Sequence, residues 1–223
     1  MNIFDTFLNG RVFWETLPLV LSGLFTTLAL GASGIVASFF IGMALALARL
    51  YAATPWRWLA IAYIDLFRSI PVLVLLIVIY NALPFVGIRL SAFAAALSAI
   101  AMVGGAYSAE IFRAGIEAVP RGQFEGALAL GFHPMYTLLK VVLPQALVIV
   151  VPPVTSNAIN ILKDTALASV VAMPDLLKQA NQAQALAANP TPLITAAAIY
   201  IILLLPLVRL VGHMEKSWSK GRR

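Results

Sequence analysis

Charge is scarce in this chain: Asp, Glu, Lys and Arg make up 11% of its 223 residues, where a soluble globular domain carries about 25%. That scarcity excludes an ordinary water-soluble domain, and a mean hydropathy of +0.94 excludes a disordered one. Cysteine is absent, which removes a disulfide framework, a thiolate metal site and a cysteine nucleophile. Imidazole is confined to His133 and His213, and no His-Glu-x-x-His pair occurs, so a metalloprotease of that kind is excluded. No G-x-x-x-x-G-K-[ST] loop occurs either, so the chain lacks a phosphate loop for ATP. Fifteen basic residues against nine acidic ones are too thinly scattered for a nucleic-acid surface.

What the chain has instead is apolar length, with 61% of its residues in the set AVILMFWYC. A helix needs about 20 apolar residues to cross a bilayer core, and the intervals between charges supply five such runs. They predict spans near 16–48, 58–85, 90–109, 141–162 and 190–208, within a single transmembrane domain covering 1–223. The runs are continuous, whereas barrel strands alternate, so the fold class is all-α and polytopic. Asp65 and Arg68 are expected in the first turns of the second span, paired at i,i+3. The first run is too long for a signal-peptide core and is read as retained.

Lys and Arg set the orientation. Arg49, Arg57, Arg68, Arg113, Arg121, Lys140, Arg209, Lys216, Lys220, Arg222 and Arg223 fall on one side. Arg11, Arg89, Lys163 and Lys178 fall on the other. The asymmetry predicts a cytoplasmic C-terminus, an outside N-terminus and a cytoplasmic loop over 110–140. That loop far exceeds the roughly 2–8 residues of ordinary helix–helix links. Glu110, Arg113 and Glu117 extend the third helix, Pro120 to Gly122 break it, and a short helix is expected over 123–130 with Gly131 as its left-handed stop. Pro134 suits the first turn of the next helix. Phe124, Ala127 and Leu128 share one side of the short helix. Spacing fits two readings of this knuckle equally: a plug for a cytoplasmic partner, or an amphipathic turn on lipid headgroups.

The residues of the knuckle carry a resemblance. Gly122-Gln123-Phe124-Glu125-Gly126-Ala127-Leu128-Ala129-Leu130-Gly131, followed by Val142-Leu143-Pro144-Gln145-Ala146, resembles the EAA motif of ABC-importer permeases. The stretch from Tyr107 to Gly131, "LFRSIPVLVL" from Leu66 and "LKDTALAS" from Leu162 are similar to the permeases for polar amino acids. Glu125-Gly126-Ala127 stands where that family usually has Glu-Ala-Ala. The resemblance implies a type I ABC importer permease core that moves a polar amino acid or related amine across a bacterial plasma (inner) membrane. It implies that Arg121, Gly122, Gln123, Phe124, Glu125, Ala127, Leu128 and Gly131 form a coupling helix docking on a separate ATPase subunit. Mg-ATP would then be held by that partner, with no cofactor in this chain and no enzymatic activity of its own. The same resemblance implies a second permease chain, identical or paralogous, and an external solute-binding protein that meets the outward segments 83–91 and 172–192.

Within the membrane, Pro152-Pro153 precede Asn157, Asn160 and Asp164, which share a helix face at i,i+3,i+7, with Thr165 next in line. Prolines free backbone carbonyls, and broken helices at mid-depth are a setting for transport sites. This face is read as a solute path. The competing reading makes the asparagines interhelical ties and puts Lys163 and Asp164 at the outer interface. Gly34, Ser38, Gly42 and Ala46, with Gly104 and Ser108, form small-residue strips suited to close helix packing. Two rival functions stand beside the importer. An ion-coupled carrier or channel would show the same polar face without needing the knuckle. An intramembrane serine protease is suggested by Gly31-Ala32-Ser33-Gly34, but its serine needs a histidine base from another span, and both histidines lie outside the spans.

Overall fold

The computed structural model describes residues 6–220. Arg222 and Arg223 of the charge tally lie outside the described residues. Every regular element among those described is helical. Helix α1 (Gly10–Tyr51) starts where the Asn9 side chain accepts the Val12 amide at 3.1 Å. It is followed by α2 (Thr54–Ser69), α3 (Val72–Ile77) and α4 (Ala92–Glu117), the last capped by Ser91. The loop over 110–140 holds α5 (Arg121–Ala129) and α6 (Pro134–Thr137). Then come α7 (Leu143–Asp164), α8 (Leu176–Ala187) and α9 (Thr191–Lys220). Wide helical turns over Val78–Ala82 and Leu138–Val142 each lie just upstream of a proline, Pro84 or Pro144, whose missing N–H loosens the ladder.

Among the described residues, four helical stretches are long and apolar enough to cross a membrane alone: Gly10–Tyr51, Ala92–Glu117, Pro134–Val171 and Thr191–Met214. The expected span over 58–85 is not one helix. It is divided into Thr54–Ser69 and Val72–Val86, bent by 100°, and counts as a fifth crossing only as a broken pair. Pro71 explains the break, because it drives Ile70 into extended backbone at φ −99° and ψ 127° and cannot donate to the preceding turn. Arg68 therefore sits in the last turn of α2 rather than the first turns of a span, and its ion-pair partner is Glu110, not Asp65. The Pro152-Pro153 pair, in contrast, lies inside an unbroken α7.

The centre of the bundle is the crossing of α1 and α4. Gly34, Ser38, Gly42 and Ala46 are buried there, against Ile100, Gly104, Ser108 and Ala109. A methyl group on Gly42 would lie 2.9 Å from the Ala109 backbone nitrogen, so only hydrogen fits between the two backbones. Segment 172–192, read from sequence as an outward segment, holds helix α8, buried on one face and exposed at Asn181, Gln182 and Leu186. Leu176, Ala180 and Ala183 pack on Val20 of α1 and Ala196 of α9. Its cap, Asp175, is buried; one carboxylate oxygen accepts the Lys178 amide at 2.9 Å and the other, Oδ2, has no hydrogen-bond partner among the described residues. Burial pushes this carboxyl up to about 6. The neighbouring Leu176 amide donates to the Thr27 hydroxyl of α1 at 3.0 Å.

Candidate functional site

The loop over 110–140 folds as a hydrogen-bonded corner. Helix α4 carries straight on to Glu117, and Arg113 reaches both Glu110 and Glu117 along one face. Helix α5 ends in a double reverse bond: Phe132 N–H donates to the Ala127 carbonyl at 3.2 Å and Gly131 N–H to the Leu128 carbonyl at 2.9 Å. That closure places Gly131 at φ +84°, a left-handed conformation that costs an L-residue about 1–2 kcal/mol. His133 caps α6, its Nδ1 accepting the Met135 amide at 3.3 Å. The Gln145 amide donates to Gln123 Oε1 at 3.3 Å and to the Val141 carbonyl at 2.8 Å, tying α5 to the re-entering helix.

The apolar side expected for α5 is divided. Ala127 is buried, and Phe124, half-buried, packs against Ile116, Val119 and Val142 of the same chain. Leu128 and Leu130 are exposed, as are Arg121, Gly122, Gln123 and Glu125. Phe124 and Ala127 thus anchor the corner, and the polar residues with Leu128 form its outer surface. Gly126 has open space around the position of a side chain, so the alanine usual at this place would fit.

Above the corner, Glu110 gathers three guanidiniums. Arg49 of α1 bonds its Oε1, Arg113 Nη2 lies 2.9 Å from its Oε2, and Arg68 Nη1 stands 3.8 Å from that same oxygen. Arg68 also lies over the Tyr107 ring, 5.5 Å from its centre. From sequence, Glu110, Arg113 and Glu117 were legible as one face; Arg49 and Arg68, distant in the chain, were not.

The second candidate region is a cavity of about 430 Å³ between the bend after α2, α4 and α7, within the roughly 300–1,000 Å³ range of small-molecule sites. Asn157, Asn160 and Asp164 line it together, opposite Arg68, Ser69, Pro71, Gly104 and Tyr107. Thr165 does not: it is buried, and its hydroxyl donates to the Leu162 carbonyl at 2.7 Å. Lys163 faces outward. The sequence reading missed Arg68 and Tyr107 as lining residues, although both lie in stretches that carried the resemblance. His213 bonds the Arg209 carbonyl at 2.7 Å near the end of α9, and Ser33 lies inside α1, so the Gly31–Gly34 match has no base assembled around it among the described residues.

Residues 38–220 match the family model described as the binding-protein-dependent transport system inner membrane component. The chain is 33% identical to the probable glutamine ABC transporter permease protein GlnM of Bacillus subtilis, over 96% of this chain and 100% of that protein. It is 34% identical to the arginine transport system permease protein ArtQ of the same organism, covering 90% and 93%. Among solved structures, that of an amino acid ABC transporter with histidines aligns at a TM-score of 0.86 and 35% identity, over 92% of this chain and 96% of that one. A MetNI methionine ABC transporter structure aligns at 0.70 and 24% identity, a likeness of fold.

Proposed function

The chain belongs to the family of binding-protein-dependent transport system inner membrane components, as an ABC importer permease of the amino-acid type, and from that premise we propose how it works. It conducts a polar amino acid or related amine inward, driven by ATPase subunits on separate polypeptides that hold Mg-ATP. It pairs with a second permease chain, receives solute from an external binding protein, and lies with its N-terminus outside and its C-terminus in the cytoplasm, in line with the Lys and Arg distribution.

One observation carries this reading: α5 is held to the ends of the spanning helices by Phe124, with Ala127 also buried, while Arg121, Gln123, Glu125 and Leu128 are exposed. A braced corner transmits force, whereas a loose lipid-surface turn does not. Glu125 and Gly131 are assigned the coupling, Glu125 as an outward charge and Gly131 as the stop that fixes the corner's angle. Asn160 and Asp164 line the solute path, and Asn157 both lines it and ties α7 to α4.

The test is reconstitution with the ATPase and binding-protein subunits in vesicles and a panel of radiolabelled amino acids. Uptake that requires ATP and all subunits is expected, with Asp164→Asn changing the uptake profile more than subunit assembly. Accumulation against a gradient by this chain alone, without nucleotide, would instead identify an ion-coupled carrier.

A further inference from the structure

Two cavities meet at one pair of side chains. Arg68 and Tyr107 line the cavity that holds Asn157, Asn160 and Asp164. A second cavity, of about 510 Å³, begins at the same Arg68 and Tyr107 and runs past Glu110, Arg113 and Pro153. Along α4 the first is lined from Val103 to Tyr107 and the second from Tyr107 to Ala118, so the pair is common to the walls of both.

The pair is stacked, and it is lightly held. The Arg68 guanidinium carbon lies 5.5 Å from the Tyr107 ring centre, and the Tyr107 hydroxyl donates to the Arg68 carbonyl at 3.5 Å, the long limit of a hydrogen bond. Arg68 stands 3.8 Å from Glu110, and its side chain is 41% exposed. Glu110 has no need of it, because Arg49 already bonds one carboxylate oxygen and Arg113 the other. Arg68 is therefore a charge with a shared, stretched partner on one side and a polar cavity on the other. A carboxylate entering that cavity offers it a partner that no other guanidinium holds, and charge-assisted bonds of that kind are the strong ones.

Resting on the importer reading, we propose that Arg68 stacked on Tyr107 is the gate between the solute cavity and the coupling-loop side. It opens when the carboxylate of an arriving amino acid draws Arg68 away from Glu110. Glu110 is then a positioning residue, holding the gate shut through Arg68 and lying on the same helix that runs into the coupling corner.

The chain has no native cysteine, so single introduced thiols report on each cavity. Val72→Cys reports the first and Ala114→Cys the second. In the assembled transporter, an impermeant thiol reagent applied on the coupling-loop side should label Ala114→Cys quickly. A gate whose open form is populated at about 10% or less slows Val72→Cys labelling roughly ten-fold by comparison. Arg68→Ala or Tyr107→Ala should erase that difference. The imported amino acid should raise labelling at Val72→Cys, and its α-carboxamide should not. Equal labelling at both positions in the unaltered background, or no change on removing either side chain, overturns the gate. If an alanine variant loses Ala114→Cys labelling as well, the milder Arg68→Gln must give the rise, or the proposal fails. Should the transporter accumulate no amino acid at all, the importer reading falls together with the carboxylate trigger, while the solute-free labelling ratio judges the partition by itself.

Discussion

The Asn157 amide of α7 donates to the Ser108 hydroxyl of α4 at 3.0 Å, and the same nitrogen reaches the Gly104 carbonyl at 3.3 Å. Asn160, one turn further along the cavity wall, has no hydrogen-bond partner among the described residues. The two asparagines therefore do different work. Asn157→Ala should lower the melting temperature of the purified transporter, by the roughly 0.6–2 kcal/mol of an interhelical hydrogen bond. Asn160→Ala should leave the melting temperature unchanged and alter the KM for uptake. An identical response in both assays would contradict this division.

Gly131 is required for its left-handed backbone rather than for space, since nothing lies within 4 Å of a would-be side chain. Gly131→Asn, which tolerates that conformation, should keep most ATP-driven uptake. Gly131→Arg should preserve membrane insertion and permease pairing while separating ATP hydrolysis from transport. Normal uptake in the arginine variant would remove the glycine from the coupling role.

Gly42 is required for space. A methyl group there meets the α4 backbone, and overpacking of this kind costs about 1–3 kcal/mol. Gly42→Ala should reduce thermal stability in detergent. Gly212→Ala, with nothing within 4 Å among the described residues, should raise it by up to about 1 kcal/mol through helix propensity. A stabilised Gly42→Ala protein would mean that α1 and α4 do not approach this closely.

Asp175 makes stability depend on pH. Its folded carboxyl titrates at about 6 against an ordinary 3.8, so the folded state holds the proton more tightly than the unfolded one. The stabilisation this gives is complete below the ordinary value and is lost as pH rises through about 6. Asp175→Asn keeps an oxygen to cap α8 and carries no charge. Its melting temperature should exceed that of the unaltered protein at about pH 8, with the gap closing towards about pH 4. A gap that does not change with pH would show that the buried carboxyl is not the cause.

The spanning helices were legible because apolar length leaves few alternatives in lipid, and the corner was legible because Pro120, Gly131 and Pro134 punctuate it. The break at Pro71 was hidden by its surroundings: Val72 to Ile79 is as apolar as any span, and hydropathy does not register direction. Helix α8 was hidden by its Gln and Asn content, although Asp175 as a cap and Leu176, Ala180 and Ala183 at helical spacing were there to be read. The Arg49 and Arg68 contacts to Glu110 join residues far apart in the chain, and no local pattern carries such pairings. On α5, spacing grouped Phe124, Ala127 and Leu128 on one side, but which of them faced inward was decided by the helices packed behind them.

Helix α4 spans 26 residues from Ala92 to Glu117, a rod of about 39 Å at 1.5 Å per residue. Its tightest grip, where Gly104, Gly105 and Ser108 press against α1, lies close to its midpoint. A stiff beam clasped at the middle behaves as a seesaw: a tilt that carries the Glu117 end one way carries the Ala92 end the other. Any such tilt would move the two ends of α4 in opposite directions about the glycine contact, because the contact lies close to the middle of the helix.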